Sequence, residues 1–127
     1  MLICIGVTRL QDFERFVGEW GLNPTGGYSL SKAGWQQRGY SWKNPWFAQT
    51  GNHPVCRVSY EDANEFCRWL TRQEQAGGRL QTGCAYRLPT EAEWSQAVGP
   101  ATYPWGGDFP PPSGWGNYAG LEVKNAD

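Results

Sequence analysis

Tyr86-Arg87-Leu88-Pro89-Thr90-Glu91-Ala92-Glu93-Trp94 is the stretch from which the fold can be read. Thr90 followed three residues later by Glu93 is a capping box: the threonine hydroxyl accepts from the Glu93 amide, and the glutamate carboxylate accepts from the Thr90 amide. Pro89, just outside the cap, keeps Leu88 out of the helical region, so Tyr86 to Leu88 enter in extended form. The helix then carries Ala92, Trp94, Ala97 and Val98 and meets Gly99, which suits a left-handed C-terminal stop. The predicted unit is a strand, a turn and a helix over residues 91–98.

Upstream, the same grammar repeats. Ser59 with Asp62 at the third helical position caps a helix over residues 60–75, whose inward stripe is Ala63, Phe66, Cys67 and Leu70 and whose end is Gly77-Gly78. Val55, Arg57 and Ser59 alternate with their neighbours as a short strand feeding that helix, and residues 79–83 form a polar connector. Nearer the start, Thr8 is placed to cap a helix over residues 9–20 with Leu10, Phe13, Val17 and Trp20 inward and Gly21 as its stop. Asp12, Glu14, Arg15 and Glu19 fall on the far side and read as a solvated face. Phe66, Leu70, Leu88 and Trp94 are expected to be buried together, each worth several kcal/mol. Met1 to Ile5 reads as a buried strand and is too short for a bilayer span or a signal region.

The 127 residues fit one domain, residues 1–127. A net charge of −1 argues against nucleic acid or an anionic membrane as partner. Eight tryptophans, 17 glycines and nine prolines describe a loop-rich α+β chain held together by aromatic burial rather than by regular layers. Cys4, Cys56, Cys67 and Cys84 have neither zinc spacing nor disulfide-scaffold density, so the compartment stays open. Residues 23–52 lack a sustained period, and Trp35 with Tyr40 to Trp42 suggest a hairpin around Gln36 to Gly39. Trp35, Tyr40, Trp42 and Trp46 serve either as core or as contacts for a protein or glycan ligand. His53, the single histidine, has three possible roles (base, metal ligand, structural loop residue) and no nearby carboxylate and cysteine to favour the first two.

Tyr86 to Trp94 resembles the signature of the formylglycine-generating-enzyme, or sulfatase-modifying-factor, family. His53-Pro54-Val55 through Val58-Ser59-Tyr60 and Asp62-Ala63, then Phe66-Cys67-Arg68-Trp69-Leu70, then Tyr103-Pro104-Trp105-Gly106 agree with it in order and spacing. Val7-Thr8 with Phe13 and Phe16-Val17, and Asn117-Tyr118-Ala119, are weaker matches. The resemblance implies a C-type-lectin-like fold of which only the N-terminal half is present. It also implies that the counterpart of Cys67 is bridged in secreted members and reduced in cytosolic ones. Catalytic members oxidise a sulfatase cysteine to formylglycine with copper held by two cysteines, and carry calcium sites, all in a later half of the domain. Residues 107–127 contain no cysteine, so no catalytic, cofactor or metal residue is assigned here. The expectation is a non-catalytic binding module that pairs with a missing half or with itself; the alternative is a truncated part of the copper oxidase.

Overall fold

The computed structural model describes residues 4, 6–22, 24, 29–31, 34–36, 40–45, 47–103, 105–107, 109 and 111–112. They form two compact units, residues 1–88 and residues 89–127. The predicted opening strand lies almost wholly outside the described residues; Cys4 is exposed and in no regular element. No helix among the described residues is long and apolar enough to cross a membrane.

In the first unit, helix α1 spans Leu10–Trp20 and turns Leu10, Phe13 and Phe16 inward. Its cap differs from the expected one. Arg9, extended and without a side-chain cap, precedes the helix, and the first amides are taken by a distant loop. Leu10 donates to the His53 carbonyl at 2.9 Å and Gln11 to that of Gly51 at 3.0 Å. Thr8 contributes only its carbonyl, which accepts from Val55 at 2.9 Å. Orphan amides at a helix start must find acceptors, and with loop carbonyls in place the Thr8 hydroxyl is not needed. Gly21, at φ 69° and ψ 18°, closes the helix as expected, its amide donating to Val17.

Strands β1 (Ser29–Ser31) and β2 (Gly34–Gln36) pair antiparallel, with Leu30 opposite Trp35. The hairpin expected between Trp35 and Tyr40 to Trp42 is therefore replaced by pairing with the segment just before Trp35, the shorter closure. Helix α2 spans Tyr60–Ala76 behind the predicted Ser59 and Asp62 capping box, with the Asp62 amide 3.0 Å from the Ser59 hydroxyl. The strand expected at residues 55–59 does not form. Only Pro54 bridges, to Arg9, and Arg57 sits at φ 60°, a left-handed conformation that breaks extended alternation.

Packing centres on Leu10, Phe13, Phe16, Trp42 and Trp69, with Phe66, Leu70, Val55 and Val58 against them. Phe66 stacks on Phe13 at 6.1 Å and meets Phe16 edge-on at 5.5 Å, spacings typical of favourable ring pairs.

Residues Arg15 and Glu19, expected to be merely solvated, join the helices. Trp69 Nε1 donates to Glu19 at 2.9 Å, as does Gln73, while Trp20 Nε1 donates to Glu65 at 3.1 Å. Arg15 lies over the Trp69 ring at 5.8 Å and Arg72 over Trp20 at 4.6 Å. Each helix thus offers a guanidinium to the face and a carboxylate to the edge of the other's tryptophan. The Arg15 hydrogen bond, then that of Trp69, holds the Glu19 carboxyl below its ordinary value of 4.5. A carboxylate lowered on folding contributes stability present above its unfolded value and lost as pH falls through its folded value. The denaturant midpoint should accordingly drop on acidification below about pH 4.5. Glu19→Gln should flatten that part of the profile, which urea titrations at a series of acidic pH values would show.

The second unit opens with helix α3, Glu91–Val98, behind the predicted Thr90 and Glu93 capping box. Gly99 has positive φ, at 92°, but with ψ at −174° it is extended rather than left-handed helical. No residue of α3 is buried. The expected joint burial of Phe66, Leu70, Leu88 and Trp94 is thus corrected: the first two border the core, Leu88 is half-buried, and Trp94 is 55% exposed. Eight residues make only two turns, too few for amphipathic spacing to fix burial. Trp94→Ala should shift the stability of this chain by less than about 1 kcal/mol, against the several kcal/mol expected of a core tryptophan; thermal unfolding followed by circular dichroism tests this.

Candidate functional site

Three sets of side chains carry possible chemistry: the loop aromatics, the histidine and the thiols. Trp42 is 3% exposed and meets Phe13 edge-on at 5.3 Å, with Lys43 Nζ 5.2 Å above its ring. It belongs to the core, and the ligand-contact reading fails for it because no ring face is left open. Tyr40 is half-buried beneath the Arg57 guanidinium at 5.1 Å. Trp46 and the side chain of Trp35 lie outside the described residues. The large exposed apolar side chains are others, among them Tyr60, Trp94 and Phe109. A loop tryptophan has no periodic neighbours, so its burial could not be read from spacing.

His53 Nδ1 lies 2.7 Å from the Thr50 amide and 2.9 Å from the Thr50 hydroxyl. An amide can only donate, so Nδ1 is the acceptor and the neutral ring carries its proton on Nε2. The His53 carbonyl also accepts from Leu10 at the start of α1. This histidine is a structural loop residue.

Cys67 on α2 is half-buried; burial pushes its thiol up from the ordinary value. Thr71 Oγ1 donates to the Cys67 carbonyl and accepts from the Tyr86 amide at 2.9 Å. Gln75 donates to the Cys84 carbonyl at 3.0 Å. The strap of residues 84–86 therefore runs back along α2, with Cys84 beside Gln75. Cys67 is eight residues away on that helix, about 12 Å at 1.5 Å per residue, beyond disulfide reach. All four cysteines are free thiols.

In the second unit, Tyr103 and Gly106 exchange backbone hydrogen bonds at 3.0 Å, and the intervening Trp105 stacks on Tyr103 at 4.9 Å. Beside α3 lies an open concavity of about 400 Å³, lined by Glu91, Trp94, Ser95, Val98, Ala101 and Thr102.

A family model described as the sulfatase-modifying factor enzyme 1-like domain matches residues 3–125. The chain belongs to that family. The formylglycine-generating enzyme of Streptomyces coelicolor is 36% identical over 87 residues, 61% of this chain and 23% of the relative. That of Mycobacterium tuberculosis is 37% identical over 76 residues, 54% and 21% respectively. That of Thermomonospora curvata is 38% identical over 64 residues, 47% and 16%. The chain thus spans about a fifth of the length of these curated relatives. No solved structure matches.

Membership in the sulfatase-modifying factor family raises the question of copper, a soft metal for which cysteine binds as thiolate. Cysteines that ligate soft metals have lowered thiol pKa values, whereas Cys67 is shifted the other way. Among the described residues no three histidine, cysteine or acidic side chains gather into a set that could hold a metal ion. No chemical step is derived through copper.

Proposed function

We propose that this chain is a non-catalytic formylglycine-generating-enzyme-like module, an incomplete, loop-rich α+β domain of C-type-lectin-like type that acts by binding a protein or glycan ligand. The observation that carries this reading is the state of Cys67. Cys67, carried on α2, is half-buried, and burial disfavours the thiolate that nucleophilic or metal chemistry would require. His53 is likewise committed to its turn. The exposed aromatic and apolar groups of the second unit supply surface for recognition.

The names of the relatives favour a second reading, in which the chain is the structural part of a formylglycine-generating oxidase completed by further polypeptide. The test incubates the purified chain with copper(I) and a cysteine-containing sulfatase-type peptide in air and follows aldehyde formation by mass spectrometry. No conversion is expected. Turnover that disappears on replacing Cys56, Cys67 or Cys84 by serine would overturn the binding reading.

A further inference from the structure

Helix α2 carries Cys67, Thr71 and Gln75 at successive four-residue steps, so the three share one face of the helix. The Tyr86 amide donates to Thr71 Oγ1 at 2.9 Å, and Gln75 Nε2 donates to the Cys84 carbonyl at 3.0 Å. Four helical residues rise about 6 Å, and two residues of extended chain cover about 6.6 Å. The strap therefore runs antiparallel to α2 and in step with it, residue 84 at Gln75 and residue 86 at Thr71. Leu88, kept extended by Pro89, takes the next step and falls at Cys67. Two observations agree with that register. Leu88 is half-buried in a run from Gln81 to Thr90 that is otherwise exposed, and Cys67 is half-buried with its thiol pushed up by desolvation. The turn before the strap is pinned separately, by paired Arg79 to Glu74 bonds at 2.8 Å. Thr71 and Gln75 hold the strap side chain to backbone, and such bonds to an exposed segment have a small net worth. Segments tied in this way open locally while the rest of a domain stays folded.

We propose that residues 84–88 are a strap that gates the Cys67 thiol: closed, it lays Leu88 over the thiol, and lifted from Thr71 and Gln75 it opens the thiol to solvent while α1 and α2 stay packed. The chemistry it admits is attack by the Cys67 thiolate on a small soft electrophile. Sulfur forms the new bond, the leaving group departs with its electron pair, and solvent takes the thiol proton. The gate depends on neither reading of function above, since it governs access to Cys67 rather than what the chain binds or oxidises.

The test treats the whole chain with iodoacetamide, quenches it at intervals, and follows each cysteine by peptide mass spectrometry; sulfur displaces iodide and leaves a carbamidomethyl thioether. Cys67 should react about tenfold or more slowly than the exposed Cys84. Its rate should be nearly constant in urea below the unfolding transition, the mark of local opening. Thr71→Val and Gln75→Ala should each speed Cys67 by about three- to tenfold, the factor that one lost hydrogen bond gives an opening equilibrium. Leu88→Ala should speed it by about tenfold or more. Gln73→Ala, which cuts a bond to Glu19 on α1 instead, should leave the Cys67 rate unchanged. Circular dichroism and the urea midpoint show which variants are folded. Should a strap variant not fold, hydrogen exchange in the parent decides: the Tyr86 amide should exchange faster than that of Trp69. Labelling of Cys67 as fast as Cys84, an unchanged rate in folded Thr71→Val and Leu88→Ala, labelling that begins only with global unfolding, or a Tyr86 amide as protected as that of Trp69 would overturn the proposal.

Discussion

Phe16→Ala should lower the stability of this chain by about 3 to 5 kcal/mol, the range for removing a buried phenylalanine. Phe16 is completely buried, 0% exposed. Its ring lies 5.2 Å from Phe13, 5.5 Å from Phe66 and 5.8 Å from Trp69, so truncation removes a side chain that touches aromatic rings of both helices. Domains of this size have about 5 to 15 kcal/mol in total, and the variant should be largely unfolded well below the melting temperature of the parent. The urea midpoint, followed by far-ultraviolet circular dichroism, should fall with an unchanged slope. Phe16→Leu, which keeps most of the volume, should cost less than about 1.5 kcal/mol. Equal losses for the two variants would show that packing around Phe16 is not what joins α1 to α2.

Trp42→Ala should be nearly as damaging, about 3 to 5 kcal/mol. Its ring brings the loop into the buried cluster of Leu10, Phe13, Phe16 and Trp69, and its carbonyl accepts from Gln49 at 2.9 Å. The adjoining turn is closed by Ser41 and Asn44, whose amides and carbonyls exchange hydrogen bonds at 3.1 Å. Losing the indole should therefore loosen the loop from α1 as well as open a cavity. The measurement separates the two roles the sequence allowed. A core residue loses stability on truncation, whereas a ligand contact loses affinity and leaves the urea midpoint unchanged.

Those two residues mark where the sequence was and was not informative. Ser59 with Asp62 and Thr90 with Glu93 act within four residues, so their capping chemistry and the starts of α2 and α3 could be read directly. Leu10 and Phe13 recur at helical spacing, which placed α1. Its cap could not be read, because the acceptors for Leu10 and Gln11 come from Gly51 and His53, some forty residues away along the chain. The partial burial of Cys67 agrees with its helical spacing, but the strap beside α2 depends on hydrogen bonds of Thr71 and Gln75 to distant backbone groups. Trp94 was misplaced, and Trp42 was left open between core and ligand contact, for one reason. Neither lies in a periodic run long enough to define a face, so tertiary packing alone decides which tryptophan is covered.

The paired tryptophan and carboxylate contacts between α1 and α2 also act as a positional stop. Glu19 reaches Trp69 and Gln73, while the adjacent Trp20 reaches back to Glu65. Glu65 and Gln73 are eight residues apart, about 12 Å along α2, so the end of α1 is tethered in both axial directions. Sliding it one way stretches the Glu19 contacts, and sliding it the other way stretches the Trp20 contact. Apolar packing is non-directional and tolerates small shifts of one helix along another, but two opposed tethers leave one register. The aromatic core supplies the cohesion of the helix pair, and the hydrogen bonds of Glu19, Glu65 and Gln73 at its margin determine the depth at which that cohesion is set.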